Sequence, residues 1–206
     1  MAQDHFEKHF KPAGSKAWNF NVTFKDQPAV ADLASHYGSA LMHPGLYKPI
    51  PVEWLHSTIL SIGSIDDYSD EEMLAVTKLL EPELAKLKLP KFTFDSWWLW
   101  GGNIVLHISP DNEFAKIYDA VEQVLEQVVG PERATKTPHG NFIAHMTLAY
   151  TKTHDQEQVI NKSLVELPTK TTTFKVTKLD LLKQWSVDGH YEWKTIKTIA
   201  IGSITT

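Results

Sequence analysis

One four-residue pattern occurs twice in the chain, as His56-Ser57-Thr58-Ile59 and as His145-Met146-Thr147-Leu148. Each copy lies in a segment with strand character, 54–61 or 142–150, and a polar connection and a helical pattern follow it. Residues i and i+2 of a strand point to the same face, so each histidine projects together with its threonine. The repeat therefore predicts one strand–helix unit that the fold uses twice.

The second copy shows how such a pair would be oriented. The alternate positions of that segment form an uninterrupted apolar row: Phe142, Ala144, Met146, Leu148 and Tyr150. Burial of this row in a core would fix the register and turn His145 and Thr147 outward or into a cleft. If the two units pack with their motif strands side by side about a pseudo-twofold axis, the two imidazoles face each other across a groove.

Helical and strand patterns alternate along the rest of the chain. Helices are expected near 27–42, from the capping box of Ser69 and Glu72 to Leu87, from about 114 to Gly130–Pro131, and more weakly at 155–166. The further strands are 18–24, 91–99, 103–109, 173–186 and 190–201, with hairpin turns at Gly101–Gly102 and Asp188–Gly189. This order predicts an α+β fold with two similar halves, and the absence of a linker predicts a single domain over 1–206.

Composition excludes several classes of function. The chain has 20 lysines and arginines against 25 aspartates and glutamates, a net charge of −5, so no bulk positive field attracts duplex nucleic acid. Arg133 is the only arginine, and the absence of cysteine excludes disulfides, thiolate zinc sites and cysteine nucleophiles. No apolar stretch is long enough to span a membrane, and Met1 to Trp18 lacks the apolar region of a signal peptide. We expect a cytoplasmic protein with no membrane partner.

Two opposed histidines suit the cleavage of a phosphodiester. The reaction needs one proton removed from the attacking oxygen and another delivered to the leaving oxygen, and histidine can do either near neutral pH. A threonine hydroxyl beside each histidine can donate a hydrogen bond to a non-bridging phosphate oxygen. This scheme needs no metal and no cofactor, and the sequence lacks the clustered ligands of two-metal phosphodiesterases.

The duplicated pattern resembles that of the two-histidine (2H) phosphoesterase superfamily, in the group related to 2′-5′ RNA ligases and cyclic nucleotide phosphodiesterases. The similar segments are Trp18 to Phe24, Trp54 to Gly63 and Asn141 to Tyr150. The resemblance implies that His56 and His145 are the acid–base pair and that Thr58 and Thr147 bind the phosphate, without a metal. It also implies a bilobal, pseudo-symmetric fold in which two antiparallel-rich sheets face a central groove, with helices outside. The expected substrate is an RNA end, a 2′-5′ oligonucleotide or a cyclic nucleotide.

Many members of that superfamily carry an arginine shortly after the second motif, and this chain does not. Here Tyr150 is followed by Thr151 and Lys152, and Lys152 or Lys183 is expected to act as a point charge instead. Trp185 and Trp193 beside the last hairpin turn, and Tyr47 before the first motif, are candidates for a base-stacking shelf. The candidate substrate-binding residues are Tyr47, Tyr150, Lys152, Lys183 and Trp185.

Two further groups of residues have structural interpretations. Simple alternation places Phe92, Phe94, Trp98 and Trp100 on one face and Trp97 on the other, and we expect most of these rings to pack in the core. The remaining histidines are expected in surface or loop positions, although His107 and His190 lie close enough to the predicted hairpins to reach the groove.

Other functions remain open at this point. The same groove can bind a nucleotide or RNA without cleaving it, and RNA ligation is the reverse of the same chemistry. A hydrolase that uses the histidines as metal ligands is a further alternative. A monomer is favoured.

Overall fold

A computed structural model describes residues 15–41, 47–100, 103–135, 142–151, 165–187 and 190–202. Within these ranges there are three α-helices: α1 (Pro28–Ala40), α2 (Asp70–Lys86) and α3 (Asp111–Val129). The strands of the first half are β1 (Ala17–Thr23), β2 (Tyr47–Pro49), β3 (His56–Ser64), β4 (Phe92–Trp100) and β5 (Asn103–Ser109). Those of the second half are β6 (His145–Thr151), β7 (Thr172–Phe174), β8 (Lys178–Val187) and β9 (His190–Ala200).

The strands form two antiparallel sheets that contact each other through β3 and β6. Sheet A has the order β3-β1-β8-β9, and sheet B has the order β2-β6-β5-β4-β7. Without the short strand β2, each sheet has four strands and begins with a motif strand. The predicted α+β fold with two similar, antiparallel halves is therefore confirmed.

Each helix begins and packs for reasons visible in the sequence. Ser69 caps α2 by accepting a hydrogen bond from the Glu72 backbone, while the Glu72 side chain accepts one from the Ser69 backbone, as the capping box predicts. Gly130 ends α3 with a φ of 83°, a conformation that favours glycine. The apolar stripe of α2 is buried at Met73, Val76, Leu80 and Leu84. The helix packs against β9, and its Asp70 pairs with Lys183 of β8, so it covers one face of sheet A.

Several predicted boundaries differ from the structure. The strand expected at 173–186 is two strands, because residues 175–177 cross from sheet B, where β7 pairs with β4, to sheet A, where β8 pairs with β1. The strand β2 was not predicted, since three residues are too few for a periodic pattern. Both predicted hairpins are present, since β4 pairs with β5 and β8 with β9.

The N-terminal segment before Ser15, the two glycine turns and nearly all of the helix expected at 155–166 lie outside the described residues. Among the helices that are described, none is both long enough and apolar enough to cross a membrane.

Candidate active site

The first motif strand directs His56 and Thr58 to one face of sheet A. In the β1–β3 pair, His56 lies opposite Thr23 and Thr58 opposite Asn21, whereas the intervening Ser57 lies opposite the core residue Val22. The His56 Nδ1–H donates to the carbonyl oxygen of Trp54 at 2.8 Å. Because a carbonyl oxygen can only accept, this bond leaves Nε2 as the ring nitrogen available to a substrate.

The second motif strand repeats this arrangement. The His145 Nδ1–H donates to the carbonyl oxygen of Ile143 at 2.8 Å, so each histidine is held by the residue two positions before it. Ala144 and Met146 are fully buried, and His145 and Thr147 are only partly buried on the opposite face. The predicted orientation of the second pair is therefore present in the structure.

A one-residue register shift then changes the face of Tyr150. Thr147 lies opposite Val105 but Ala149 lies opposite Ile104, so Leu148 is an extra residue, a β-bulge. Simple alternation places Tyr150 in the apolar row that faces away from His145; the bulge instead puts it on the same face as His145 and Thr147. There it is 6% exposed and packs at the edge of the groove as a member of the hydrophobic cluster. Its hydroxyl is hydrogen-bonded to the Thr147 side chain. Its ring lies 6.2 Å from that of Tyr191, which belongs to β9 of sheet A.

The two motif faces meet across a groove between the sheets. The strand contact between β3 and β6 brings the imidazoles within electrostatic range, since His145 contributes to lowering the pKa of His56. Sheet A also curls toward the groove. Three strand spacings, roughly 14 Å, separate β3 from β9 in a flat sheet, yet the His56 and Trp193 rings are 5.1 Å apart. The rings of β9 thus cover His56.

The two imidazoles differ in their surroundings. His56 is 7% exposed, and burial, with a smaller effect from His145, lowers its pKa from 6.5 to about 4. Burial also lowers the pKa of His145, although Asp111 opposes this shift by favouring the protonated ring. His56 is therefore the more strongly held in its neutral form.

A pocket of about 310 Å³ adjoins Thr58 on the groove face of sheet A. Its polar lining consists of uncharged side chains: Ser15, Asn19, Thr58, Ser61, Gln184, Ser186 and Tyr191. Amide and hydroxyl groups of this kind donate to and accept from sugar hydroxyls and base edges. The pocket therefore offers hydrogen bonds without net charge beside the first motif.

A second bulge places two tryptophans in the groove. Phe94 lies opposite Ile108 but Trp97 lies opposite Leu106, so the strand β4 gains one residue at Asp95–Ser96. Trp97 then packs against the core, while Trp98 lies opposite Val105 on the groove face. The expectation that Trp98 and Trp100 share a face with Phe92 and Phe94 is wrong, because alternation reverses across the bulge.

The predicted substrate-binding residues do not all reach the groove. Tyr47 is buried in the core cluster. Lys183 is on the opposite face of sheet A, where its ammonium group lies over the Trp18 ring and pairs with Asp70 at 2.8 Å. The expectation that Lys183 reaches the substrate is therefore wrong, because its side chain lies on the face of sheet A away from the groove. Trp185 contributes to the edge of the 310 Å³ pocket, and Lys152 is outside the described residues.

Sequence reasoning missed Lys48. This exposed residue of β2 pairs directly with Tyr150, so it shares the groove face with Tyr150 and Thr147. The only arginine, Arg133, is elsewhere, bound to Glu72 and to the carbonyl oxygen of Asp67. No sequence signal marked Lys48, because the strand that orients it is three residues long.

His107 is a third histidine on this face. It pairs directly with His145, contacts the Trp98 ring at 5.4 Å, and bonds through Nδ1 to Asp95 at 3.0 Å. In the described parts of the chain, no group of three or more His, Cys, Asp or Glu side chains has the arrangement of a metal site.

Comparisons with known proteins identify a matching family and several solved structures with a similar fold. The family model of the 2′-5′ RNA ligase superfamily matches residues 26–187. No curated protein sequence matches the chain significantly. Among solved structures, TT0787 of Thermus thermophilus has a TM-score of 0.65 at 16% identity, over 91% of this chain and 99% of that chain.

Two further solved structures are similar. E. coli LigT, in its apo form, has a TM-score of 0.61 at 15% identity, over 92% of this chain and 98% of that chain. The MHV ns2 PDE domain has a TM-score of 0.56 at 16% identity, over 82% of this chain and 98% of that chain. E. coli LigT also has crystal structures in complex with 3′-AMP and with ATP. At these identities, the similarity shows a common fold.

Proposed function

This chain belongs to the 2′-5′ RNA ligase superfamily, and we propose that it is a phosphodiesterase that hydrolyses a 2′,3′-cyclic or 2′-5′ phosphodiester of RNA or an oligonucleotide. The proposed catalysis uses two histidines and no metal. One observation carries the proposal: the two imidazoles lie within electrostatic range of each other. Each is held through Nδ1 by a backbone oxygen two residues earlier, which leaves its Nε2 for a substrate. The LigT complexes with nucleotides support a nucleotide substrate.

In the proposed mechanism His56 is the general base and His145 the general acid. The deeper burial of His56 keeps its imidazole neutral and able to accept a proton at Nε2. His145 is less enclosed, and Asp111 favours its protonated form, which can donate from Nε2. A bound phosphate anion between the two rings would further stabilise the imidazolium.

The proton transfers differ slightly between the two bonds. With a 2′,3′-cyclic phosphate, His56 removes a proton from the attacking water and His145 protonates the departing ribose oxygen. With a 2′-5′ linkage, the free 3′-hydroxyl attacks the phosphorus and the 5′-oxygen leaves with the proton from His145. The product is a 2′,3′-cyclic phosphate, which water then opens in the first reaction. Thr58 and Thr147 donate to the non-bridging oxygens as negative charge develops there. The hydrogen bond between the Tyr150 and Thr147 side chains holds the Thr147 hydroxyl in place.

Lys48 is the proposed source of positive charge near the phosphate. It is exposed on the groove face opposite Tyr150, and it takes the role expected of an arginine after the second motif. An ammonium group binds a phosphate as a point charge, without the two parallel bonds of a guanidinium. Lys48→Met should therefore raise KM for an anionic substrate more than it lowers kcat.

The decisive experiment offers the wild-type protein a panel of substrates with analysis of the products. The panel contains a tRNA, a labelled 2′-5′ oligoadenylate, a cyclic oligonucleotide and a 2′,3′-cyclic nucleotide. We expect cleavage of at least one diester, unaffected by a chelator. His56→Ala and His145→Ala should each lower turnover by about 10²- to 10⁴-fold, the usual contribution of a positioned acid or base.

His36→Ala is the matched control. This histidine of α1 bonds to the carbonyl oxygen of Pro168, outside the groove, and its loss should leave turnover unchanged. Stable binding of the oligoadenylate without cleavage would contradict the proposal and favour a binding module. Activity that depends on added zinc would instead favour a metal hydrolase.

A further inference from the structure

The groove has an aromatic surface beside His145 that the proposed acid–base chemistry does not use. Trp100 contacts the His145 ring edge to face, with centroids 4.8 Å apart, and Trp98 contacts His107 at 5.4 Å. Trp100 is 45% exposed, and Ile143, whose carbonyl oxygen holds His145, is 38% exposed. Nearly half of the Trp100 side chain is therefore open to a ligand that enters the groove.

A hydrogen bond on the same face borders this surface. Asp95 belongs to the bulge of β4, and its carboxylate accepts the His107 Nδ1–H from the neighbouring strand β5 at 3.0 Å. The bond thus spans the position at which alternation along β4 reverses. The reversal is what puts Trp98 and Trp100 in the groove and Trp97 in the core.

The other side of the groove has different chemistry. Beside Thr58 the polar lining of the pocket consists of amides and hydroxyls, which suit hydrogen bonding rather than stacking. The rings on that side, Trp185, Tyr191 and Trp193, are only partly exposed, whereas Trp100 on the His145 side is 45% exposed. An aromatic heterocycle therefore finds its most open indole on the His145 side. Stacking on tryptophan tolerates any base, because every base has a π face.

We propose that Trp98 and Trp100 form a binding subsite for a nucleobase on the His145 side of the phosphate, and that Asp95 and His107 position it. This inference rests on the proposed function only for the location of the phosphate. Trp98 and Trp100 contact the base; Asp95 and His107 act through them and are positioning residues. The bulge, and not simple alternation, creates the subsite.

Binding of an uncleavable ligand tests the subsite directly. Calorimetric titration compares 3′-AMP with 1,4-anhydroribitol 3-phosphate, which has the same phosphate but no base. The wild-type protein should prefer 3′-AMP by about 5- to 100-fold, the range expected for one base stacked on an aromatic side chain. Trp100→Ala should abolish most of this ratio, whereas Trp100→Phe, which keeps a ring, should retain it.

The positioning residues have their own comparison. Asp95→Ala removes the acceptor for His107 and should lower the same ratio, whereas Asp95→Asn keeps an amide oxygen that accepts from Nδ1–H and should restore it. A purely structural role would weaken binding of both ligands alike and leave the ratio unchanged. That result would overturn the positioning role. Equal affinity of the wild-type protein for both ligands would overturn the subsite itself.

These outcomes separate the subsite from the proposed function. If the protein prefers 3′-AMP through Trp100 but cleaves no diester in the panel, the phosphodiesterase proposal fails and the subsite stands. If it cleaves a diester but shows no preference for the base, the subsite is wrong and the phosphodiesterase proposal stands.

Discussion

At the scale of single residues, the environment of each histidine matters more than its identity. Both imidazoles donate from Nδ1 to the backbone oxygen two positions earlier, which fixes the same tautomer in each. They differ in what covers them. Tyr191 and Trp193 of β9 lie over His56, whereas His145 meets the exposed ring of Trp100. The motif predicts the pair but contains nothing about this difference, which arises from the curl of sheet A.

The burial of His56 predicts a pH-dependent stability. Its pKa is about 4 in the folded chain and 6.5 in the unfolded chain, so between these values only the unfolded chain binds the proton. The contribution of neutral His56 to the free energy of unfolding is complete above pH 6.5. It falls by up to roughly 3 kcal/mol as the pH drops toward 4. Denaturant unfolding at several pH values should show that His56→Asn loses less free energy of unfolding toward acid pH than the wild-type protein does. Parallel curves for the two proteins would contradict this assignment.

At the scale of elements, the sequence predicts the strands and helices that follow a regular pattern, but not the β-bulges that interrupt the strands. The motif strands, the capping box of α2 and both hairpins were predictable, because each depends on a local pattern that its neighbours reinforce. The bulges at Asp95–Ser96 and at Leu148 were not, because simple alternation makes no allowance for one extra residue. These two bulges decide which face Trp98, Trp100 and Tyr150 occupy. The least predictable elements thus shape the groove most.

The start of α2 offers a test at this scale. Ser69 accepts from the Glu72 backbone at 3.1 Å, and the Glu72 carboxylate also binds Arg133 at 2.6 Å, an interaction that lowers the pKa of Glu72. Ser69→Ala should lower the free energy of unfolding by about 1 kcal/mol, the usual effect of losing an N-cap. Ser69→Asp, which can cap equally well, should retain most of that stability in denaturant unfolding. An equal loss in both variants would show that the cap contributes little.

At the scale of the whole molecule, neither sheet forms the site alone. His56 and Thr58 come from sheet A, His145 and Thr147 from sheet B, and Tyr191 meets Tyr150 across the groove between them. The pseudo-symmetry is a property of strand order and does not extend to the surfaces. An uncharged polar pocket lies beside Thr58, and the exposed indole of Trp100 lies beside His145. A groove with two chemically different sides binds an asymmetric substrate in one direction, which would assign one acid and one base.

This asymmetry predicts the form of the pH–rate profile. In the free protein, burial lowers the pKa of both imidazoles, that of His56 to about 4. Because kcat/KM reports the free protein, it should follow a bell with its maximum below pH 6.5, and the two limbs belong to the coupled pair. The profile of kcat should lie at higher pH, since a bound phosphate anion stabilises the imidazolium.

Steady-state rates on the cleaved diester from about pH 4 to about pH 8 measure both profiles. In His145→Ala the alkaline limb should disappear, because no acid remains to be deprotonated, and the residual rate should depend only on His56. In His56→Ala the acidic limb should disappear instead. A kcat/KM maximum above pH 7 would mean that the two imidazoles are less buried in the free protein than the structure shows. Loss of the same limb in both variants would contradict the assignment of His56 as the base and His145 as the acid.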